Sequence, residues 1–422
     1  MAVAGVPQFG AIIDFTDGAT FISTAFTLDN STKGQLGSAQ LANADDSVDV
    51  GSIAIQASIR RGRNRILDKF EAGSATVILQ DDNGNFNPSN TNSPYYGKIL
   101  PLRKITIYAD YNGTRYTLFN GFIMQFVTEF AVGVNDRSKV TLICTDGFRM
   151  LTNLQIGTVT GTAAGDTSGA RVTRFLDIAQ WPTSQRSLDT GTSTVQVDPG
   201  TANRNILDAI QLIADKSEFG AFFVDRKGNA VFLSRQTLGQ KAANPATIYS
   251  DNGSNIGYQG IELKHDDVLI VNDVSVNRLG GSVQQVTDST SITTYYQHSG
   301  VRSDILVQTD AEALNQAKIL LASRKDAVLH ISSFNLNLFD QNSPTRIVAG
   351  LSSEIFDVIQ VTKTMPGSTS ITKTLFVQGV QHDMTKRSFD TRLLTAEPII
   401  QSFVLNSSIA GVLDSSSSLL SY

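Results

Sequence analysis

Residues 60–107 read RRGRNRILDKFEAGSATVILQDDNGNFNPSNTNSPYYGKILPLRKITI. A basic opening, Arg61-Gly62-Arg63, precedes an extended segment, Ala75-Thr76-Val77-Ile78-Leu79. A turn at Asp81-Asp82-Asn83-Gly84-Asn85 leads through Phe86-Asn87-Pro88 into a polar loop ending Ser93-Pro94-Tyr95-Tyr96-Gly97. Pro101 introduces a second strand, Lys104-Ile105-Thr106-Ile107-Tyr108. β-Branched and apolar residues favour strands in both runs, and the Gly, Asn and Pro between them favour turns. No pair of residues in the stretch reads as an acid and a base. Two strands joined by a long ordered loop suit a structural ring better than an active site.

Downstream the same grammar continues. Ile105-Thr106-Ile107-Tyr108 and Tyr116-Thr117-Leu118-Phe119 flank Asn112-Gly113, a pair that tolerates the positive φ angles of a tight hairpin. Gly121 to Met124 and Val140 to Cys144 continue the sheet, and Asp146-Gly147-Phe148 closes a first all-β unit, residues 48–155. Residues 156–240 form a small α/β insert. Gly161 to Gly169 has the composition of a flexible linker. Val172, Phe175, Leu176 and Ala179 place one apolar face on a helix over 171–180, stopped by Pro182. Trp181 packs on the core in this reading. A second helix over 203–217 exits at Gly220, followed by an aromatic hairpin, 221–233. Residues 241–400 form a second β unit that includes a helix over 310–326 with Asp310 as its N-cap. Upstream, residues 1–47 read as an N-terminal arm reaching a neighbouring subunit or as a mobile terminus, with one strand at Ala11 to Phe15. Residues 401–422 are a Ser-rich tail, mobile or docked on a partner.

The two β units echo each other. Arg103 to Ile107, the turn Asn112-Gly113, Thr117-Leu118-Phe119 and Gly121-Phe122 match Asp357 to Val361, Pro366-Gly367, Thr374-Leu375-Phe376 and Gly379-Val380. The match predicts a duplication.

The order of these pieces resembles the tail hub proteins (minor tail, baseplate-hub-like) of long-tailed bacteriophages. The residues that carry the resemblance are Arg61-Gly62-Arg63; Gly73, Ala75, Val77 and Leu79; Asn83 to Pro88; Ser93 to Gly97; and Pro101, Arg103, Ile105 and Ile107. Asn83 stands where such proteins often have Asp. The helix with its aromatic hairpin in the insert resembles the second domain of the same family. The span Ile292 to Gly300 departs from it, with Tyr296 and Gly300 further apart than usual.

The resemblance implies a mainly β chain with a small α/β insert, in which two tail-tube-like β-barrel domains stand in tandem beside accessory domains. It implies a structural virion protein at the distal end of the tail, assembled in the bacterial host cytoplasm. There a homotrimer would offer six barrels to a sixfold tube and threefold symmetry to the tip. Its partners would be a distal tail or tail tube protein, the tape-measure protein, and a central fibre or other tail-tip proteins. Genomic DNA would pass through the lumen on ejection without specific binding. Arg61, Arg63, Pro94, Tyr95, Tyr96 and Gly97 are the candidate assembly contacts. A carbohydrate-binding tail-tip protein that recognises the host surface is the alternative, with Asn87 to Tyr96 as its loop.

Composition narrows the function classes. The chain has 422 residues, room for two to four domains at roughly 100–200 residues each. Charged residues make up 17%, below the roughly 25% usual for soluble domains; short strands with many polar turns account for the difference. A net charge of −5 opposes a phosphate-gripping nucleic-acid domain and suits a pore through which DNA slides. Met1 to Gly10 lacks the marks of a signal peptide, and no uncharged apolar run reaches about 18 residues. The lone Cys144 lies in an apolar strand and reads as a core thiol.

Catalytic and metal patterns are not met. His265, His298, His330 and His382 lack metal-ligand spacing. His265-Asp266-Asp267 and Asp81 to Asn85 both miss the calcium-loop pattern. No serine sits in G-x-S-x-G, and no Gly-rich loop ends in Gly-Lys-Ser/Thr. The expectation is a non-enzyme with no cofactor and no metal. Arg60, Arg61, Arg63 and Arg65 form a basic cluster, read as a solvated face or as intersubunit salt bridges.

Overall fold

The computed structural model describes residues 5–16, 46–63, 69–133, 136–200, 203–243, 245–367 and 369–398. Most of the expected arm, residues 17–45, together with Arg65 and the Ser-rich tail, lies outside the described residues. The architecture is mainly β with a small α/β insert. Among the described residues thirteen strands form one large sheet, numbered here in chain order: β1 Gln8–Asp14, β2 Ser47–Asp49, β3 Ala54–Gly62, β4 Ser74–Gln80, β5 Arg103–Tyr111, β6 Thr114–Glu129, β7 Lys139–Thr145, β8 Thr247–Ser250, β9 Gln259–Lys264, β10 His330–Asn337, β11 Val358–Thr364, β12 Ser370–Thr385 and β13 Ser388–Ala396. The strands obey the period of two. In β4 Ala75, Val77 and Leu79 are buried, and in β7 Val140, Leu142 and Cys144. Asn112 (φ 48°) and Gly113 (φ 77°) turn β5 into β6 with both central residues left-handed, as the tight hairpin requires.

Part of the span read as an N-terminal arm is a core strand. All seven residues of β1 pair with β5, and Ala11 and Ile13 are fully buried. The alternation Ala11, Ile13, Phe15 supplies an apolar face that a free arm would expose.

The sheet follows the order β9-β10-β13-β12-β3-β4-β7-β6-β5-β1-β2, with β11 on the first half of β12 and β8 on β11. Written as two runs, β3-β4-β7-β6-β5-β1 and β9-β10-β13-β12-β11-β8, it repeats one strand order with one chain order. The repeat extends to details. β6 and β12 are both 16 residues long. Each pairs by its first half with the preceding strand and by its second half with the following one. Each has a bulge, between Ile123 and Gln125 and between Val377 and Gly379. Leu102 (φ 65°) and Phe356 (φ 63°) are both left-handed, and each donates its N–H to the residue before the bulge, Ile123 O at 2.6 Å and Val377 O at 2.8 Å. A non-glycine residue rarely adopts this conformation, so finding it twice at equivalent positions marks a common plan. One difference stands: β1 runs antiparallel to β5, whereas β8 runs parallel to β11.

The two units are joined, not merely consecutive. The second half of β12 pairs antiparallel with β3, from Gly379 opposite Gly62 to Thr385 opposite Gln56. One hydrophobic core runs through both units, from Ile13 and Leu142 to Phe334 and Leu393.

A second core belongs to the insert. Helix Ser168–Ile178, capped by the Thr167 side chain, packs Val172, Phe175 and Leu176 against Trp181, Ile210, Phe222 and Phe232. The helix begins within the stretch read as a linker. Gly169 is in its first turn, where a Cβ would lie 1.9 Å from Asp189 O, so this glycine serves close packing rather than flexibility. The second helix, Ile206–Gln211, continues as a π-helical turn over Leu212–Ser217. Trp181 is buried and donates Nε1–H to Gln185 O at 2.9 Å. A third core lies under helix Asp310–Arg324, which packs on strands Asp273–Arg278 and Gln284–Thr287. Its N-cap is Thr309, not Asp310: the Thr309 hydroxyl accepts from Glu312 N and the Glu312 carboxylate accepts from Thr309 N, a capping box.

Candidate functional site: the unit junction, the ordered loop and the open edges

Two of the residues singled out from sequence meet where the two β units join. Arg61, near the end of β3, is only 3% exposed. Its Nη1 lies 2.6 Å from Glu354 Oε1, while Glu354 Oε2 accepts from Arg226 N at 2.9 Å. One carboxylate therefore ties together β3, the insert hairpin turn and the segment before β11. Arg63 sends Nε–H to Gln378 Oε1 at 2.7 Å, and its guanidinium lies 4.5 Å from the Phe70 ring centroid and 5.8 Å from that of Phe356. Gln378 is the bulge residue of β12, and its carbonyl accepts from Arg63 N at 2.9 Å. The basic cluster is thus no solvated face at Arg61. The strand carries that side chain into the junction, where an intrachain carboxylate meets it. Sequence reasoning missed Glu354, Phe356 and Gln378; the echo between the units was the signal that points to the last two.

Two titratable groups beside this junction are shifted in opposite directions. Asp146 is buried, which pushes its pKa up to about 7 despite the amides of Gly73 and Phe148 and the nearby Arg61. His382 is buried against Thr391 Oγ1 at 2.8 Å; burial first, then Arg61 and Arg226, pull it down to about 3, so its imidazole is neutral. The signs follow by linkage. Asp146 holds a proton in the folded chain that the unfolded chain releases near its ordinary pKa of 3.8, so its contribution is greatest below about pH 4 and is lost as pH rises to 7. His382 acts oppositely, favouring the fold above its ordinary 6.5 and losing that contribution as pH falls through 3. In urea unfolding, Asp146→Asn is expected to be more damaging at pH 5 than at pH 7.5. A wild-type-to-variant gap independent of pH would refute the assignment.

The loop between β4 and β5 is ordered by its own hydrogen bonds. Asp81 is buried and accepts from Asn85 N at 2.7 Å and Phe86 N at 2.9 Å, a turn rather than a cation loop. Further turns follow every three residues, Asn87 N to Gly84 O, Asn90 N to Asn87 O, Ser93 N to Asn90 O and Tyr96 N to Ser93 O. Tyr95 faces inward, its ring 5.1 Å from Phe86 and 5.2 Å from Phe15. Pro94, Tyr96 and Gly97 face out, Tyr96 with 53% exposure. Of the six candidate contacts, then, Arg61, Arg63 and Tyr95 have their side chains engaged within the chain, while Pro94, Tyr96 and Gly97 form an exposed lip.

A cavity of about 350 Å³ lies between the outer face of β9 and β10 and the end of helix Asp310–Arg324. Among its lining charges, Glu262 lies 3.0 Å from Arg392 and 3.3 Å from Lys264. Among the described residues no group of three or more His, Cys, Asp or Glu is placed to hold a metal. No described helix is long and apolar enough to cross a membrane. Exposed apolar side chains include Val127 in the second half of β6 and Phe130 just after it, and Val283, Tyr296 and Val301 near the small sheet of the third core.

No protein-family model and no curated protein matches the sequence. Solved structures do match the fold. A tail protein from Neisseria meningitidis MC58 aligns over 93% of this chain and 96% of its own, at 12% identity and a TM-score of 0.56. The 43 kDa tail protein of prophage MuSo2 from Shewanella oneidensis aligns over 84% and 95%, at 13% identity and a TM-score of 0.51. The chain has the fold of these tail proteins.

Proposed function

We propose that this chain, folded as phage tail proteins are, is a structural virion component: the homotrimeric hub at the distal end of a bacteriophage tail. The observation that carries the reading is the β unit repeated twice in one chain, down to bulge and left-handed residue. Three chains supply six such units, each curled as a tube-like barrel, and so meet a sixfold tube while presenting threefold symmetry to the tip. In this role the chain terminates the tube, touches the end of the tape-measure protein, seats a central fibre and takes part in opening the channel for DNA. The exposed lip at Pro94, Tyr96 and Gly97 is a contact for a neighbouring tail protein. The junction holds buried pairs that fix two units rigidly, which is a structural rather than a catalytic use of charge.

Native mass tests the proposal. Three chains of 45.5 kDa give 3 × 45.5 = 136.5 kDa, the expected result. A hexamer would point to a tube or distal-tail ring, and a monomer would overturn the hub reading.

A further inference from the structure

Arg324, the last residue of helix Asp310–Arg324, lines the cavity of about 350 Å³ beside β9 and β10. Its Nε is buried without a hydrogen-bond partner, and among the described residues its side chain enters no ion pair. The other arginines with a buried, unpartnered nitrogen each bind through a second nitrogen: Arg61 to Glu354, Arg171 to Asp166, Arg204 to Asp198, Arg235 to Thr192 and Arg346 to Asp340. In those five the orphan atom is one corner of an anchored guanidinium. At Arg324 the whole group lacks an anchor. Burial pulls its pKa down, and the charge of Glu397 opposes the shift without closing an ion pair. Glu397 is itself held by Lys373 Nζ at 2.8 Å. The carbonyl end of a helix favours a cation, but a solvated cation would serve it equally. A desolvated, unpaired charge costs stability, and its place in a partly apolar cavity is that of a ligand-orienting group.

The remaining lining narrows the ligand. Val268, Leu269, Ile270 and Leu394 offer apolar surface. Lys264 and Arg392 are engaged by Glu262. Four carboxylates, those of Glu262, Asp266, Asp326 and Glu397, surround the space and repel a dianion such as phosphate. One unpaired guanidinium beside apolar walls matches one carboxylate on an apolar body.

We propose that this cavity binds a monocarboxylate with an apolar body, its carboxylate on the Arg324 guanidinium and its body against Val268, Leu269, Ile270 and Leu394. A free organic acid and the carboxyl terminus of a peptide share this chemistry. The site draws on residues of one chain and is independent of the trimer.

Calorimetric titration of the full-length chain at neutral pH tests the site with two probes, hexanoate and N-acetyl-leucine. At least one is expected to bind. Hexanoate alone would mark a free-acid site, and N-acetyl-leucine alone a peptide-terminus site. The neutral amides of both probes and inorganic phosphate are expected not to bind. Arg324→Met keeps the length and removes the charge. It is expected to weaken binding by about tenfold or more, as the loss of a charge-assisted hydrogen bond does. It is also expected to raise the urea midpoint of the ligand-free chain, because a desolvated charge is gone. A merely structural arginine would lower that midpoint. Val268→Asp, at a position 53% exposed, is expected to keep the native circular dichroism and lose binding, since it sets a carboxylate against the ligand. Failure of both acids to bind the wild-type chain overturns the site. So does an Arg324→Met variant whose midpoint falls while binding persists.

Discussion

Arg61→Ala is expected to lower the folding stability of the chain by about 3 kcal/mol or more, seen as a reduced urea midpoint. Breaking a buried ion pair by removing one partner typically costs about 3–5 kcal/mol, because the other charge stays desolvated and unpaired. The value falls in the lower part of that range, since the Glu354 side chain keeps 21% exposure and still accepts from Arg226 N. Charge reversal at Arg61 should be worse, setting a carboxylate beside Glu354 and near the buried Asp146. The effect is on folding, not on assembly alone: the variant monomer itself should unfold earlier. Glu354→Gln should also destabilise the fold, because Arg61 and Arg226 N donate to different carboxylate oxygens, and the single amide oxygen leaves one of these donors facing an NH2 group. A variant with wild-type unfolding but altered native mass would return Arg61 to the role of an intersubunit contact.

Gly62→Ala is expected to cost about 2–6 kcal/mol, two separate penalties adding. Gly62 has φ +95°, a conformation that costs an L-residue about 1–3 kcal/mol. Its new Cβ would also lie 2.2 Å from Gln378 O and 2.6 Å from Gly379 Cα, both backbone atoms that cannot rotate aside. Such overpacking costs about 1–3 kcal/mol more. The opening of the β12–β3 joint should accompany it, so amide exchange should rise first in β3 and the second half of β12. Gly113→Ala is the control. It shares the positive φ, at 77°, but nothing lies within 4 Å of its Cβ position, so only the backbone penalty applies. Equal losses at both positions would show that the close approach at the junction carries no weight.

Much of this molecule is local in origin and was therefore readable. Alternating burial in β4 and β7 follows from Ala75, Val77, Leu79 and Val140, Leu142, Cys144 at a period of two. Asn112-Gly113 specifies its hairpin through φ alone. The insert helices, the burial of Trp181 and the echo between β5–β6 and β11–β12 were legible for the same reason. So was the turn at Asp81. The Thr309 cap was missed because both Thr309 and Asp310 are good capping residues, and only the backbone angles choose between them.

Which edges meet was not legible. β3 pairs with β12 across more than 300 residues of chain, and nothing in either strand's own pattern names the other. The same holds for Arg61, whose partner Glu354 is 293 residues away, so the cluster of arginines looked like surface. A strand at Ala11 to Phe15 was legible within the expected arm, but three apolar residues in alternation say that a strand exists without saying which edge accepts it. The sequence by itself determined the strands, the turns and their repetition, since φ preference and apolar period act between near neighbours. Only the tertiary structure decided that the two units share one sheet and that Arg61 is internal, because pairing and burial depend on surfaces that exist only once distant segments have come together.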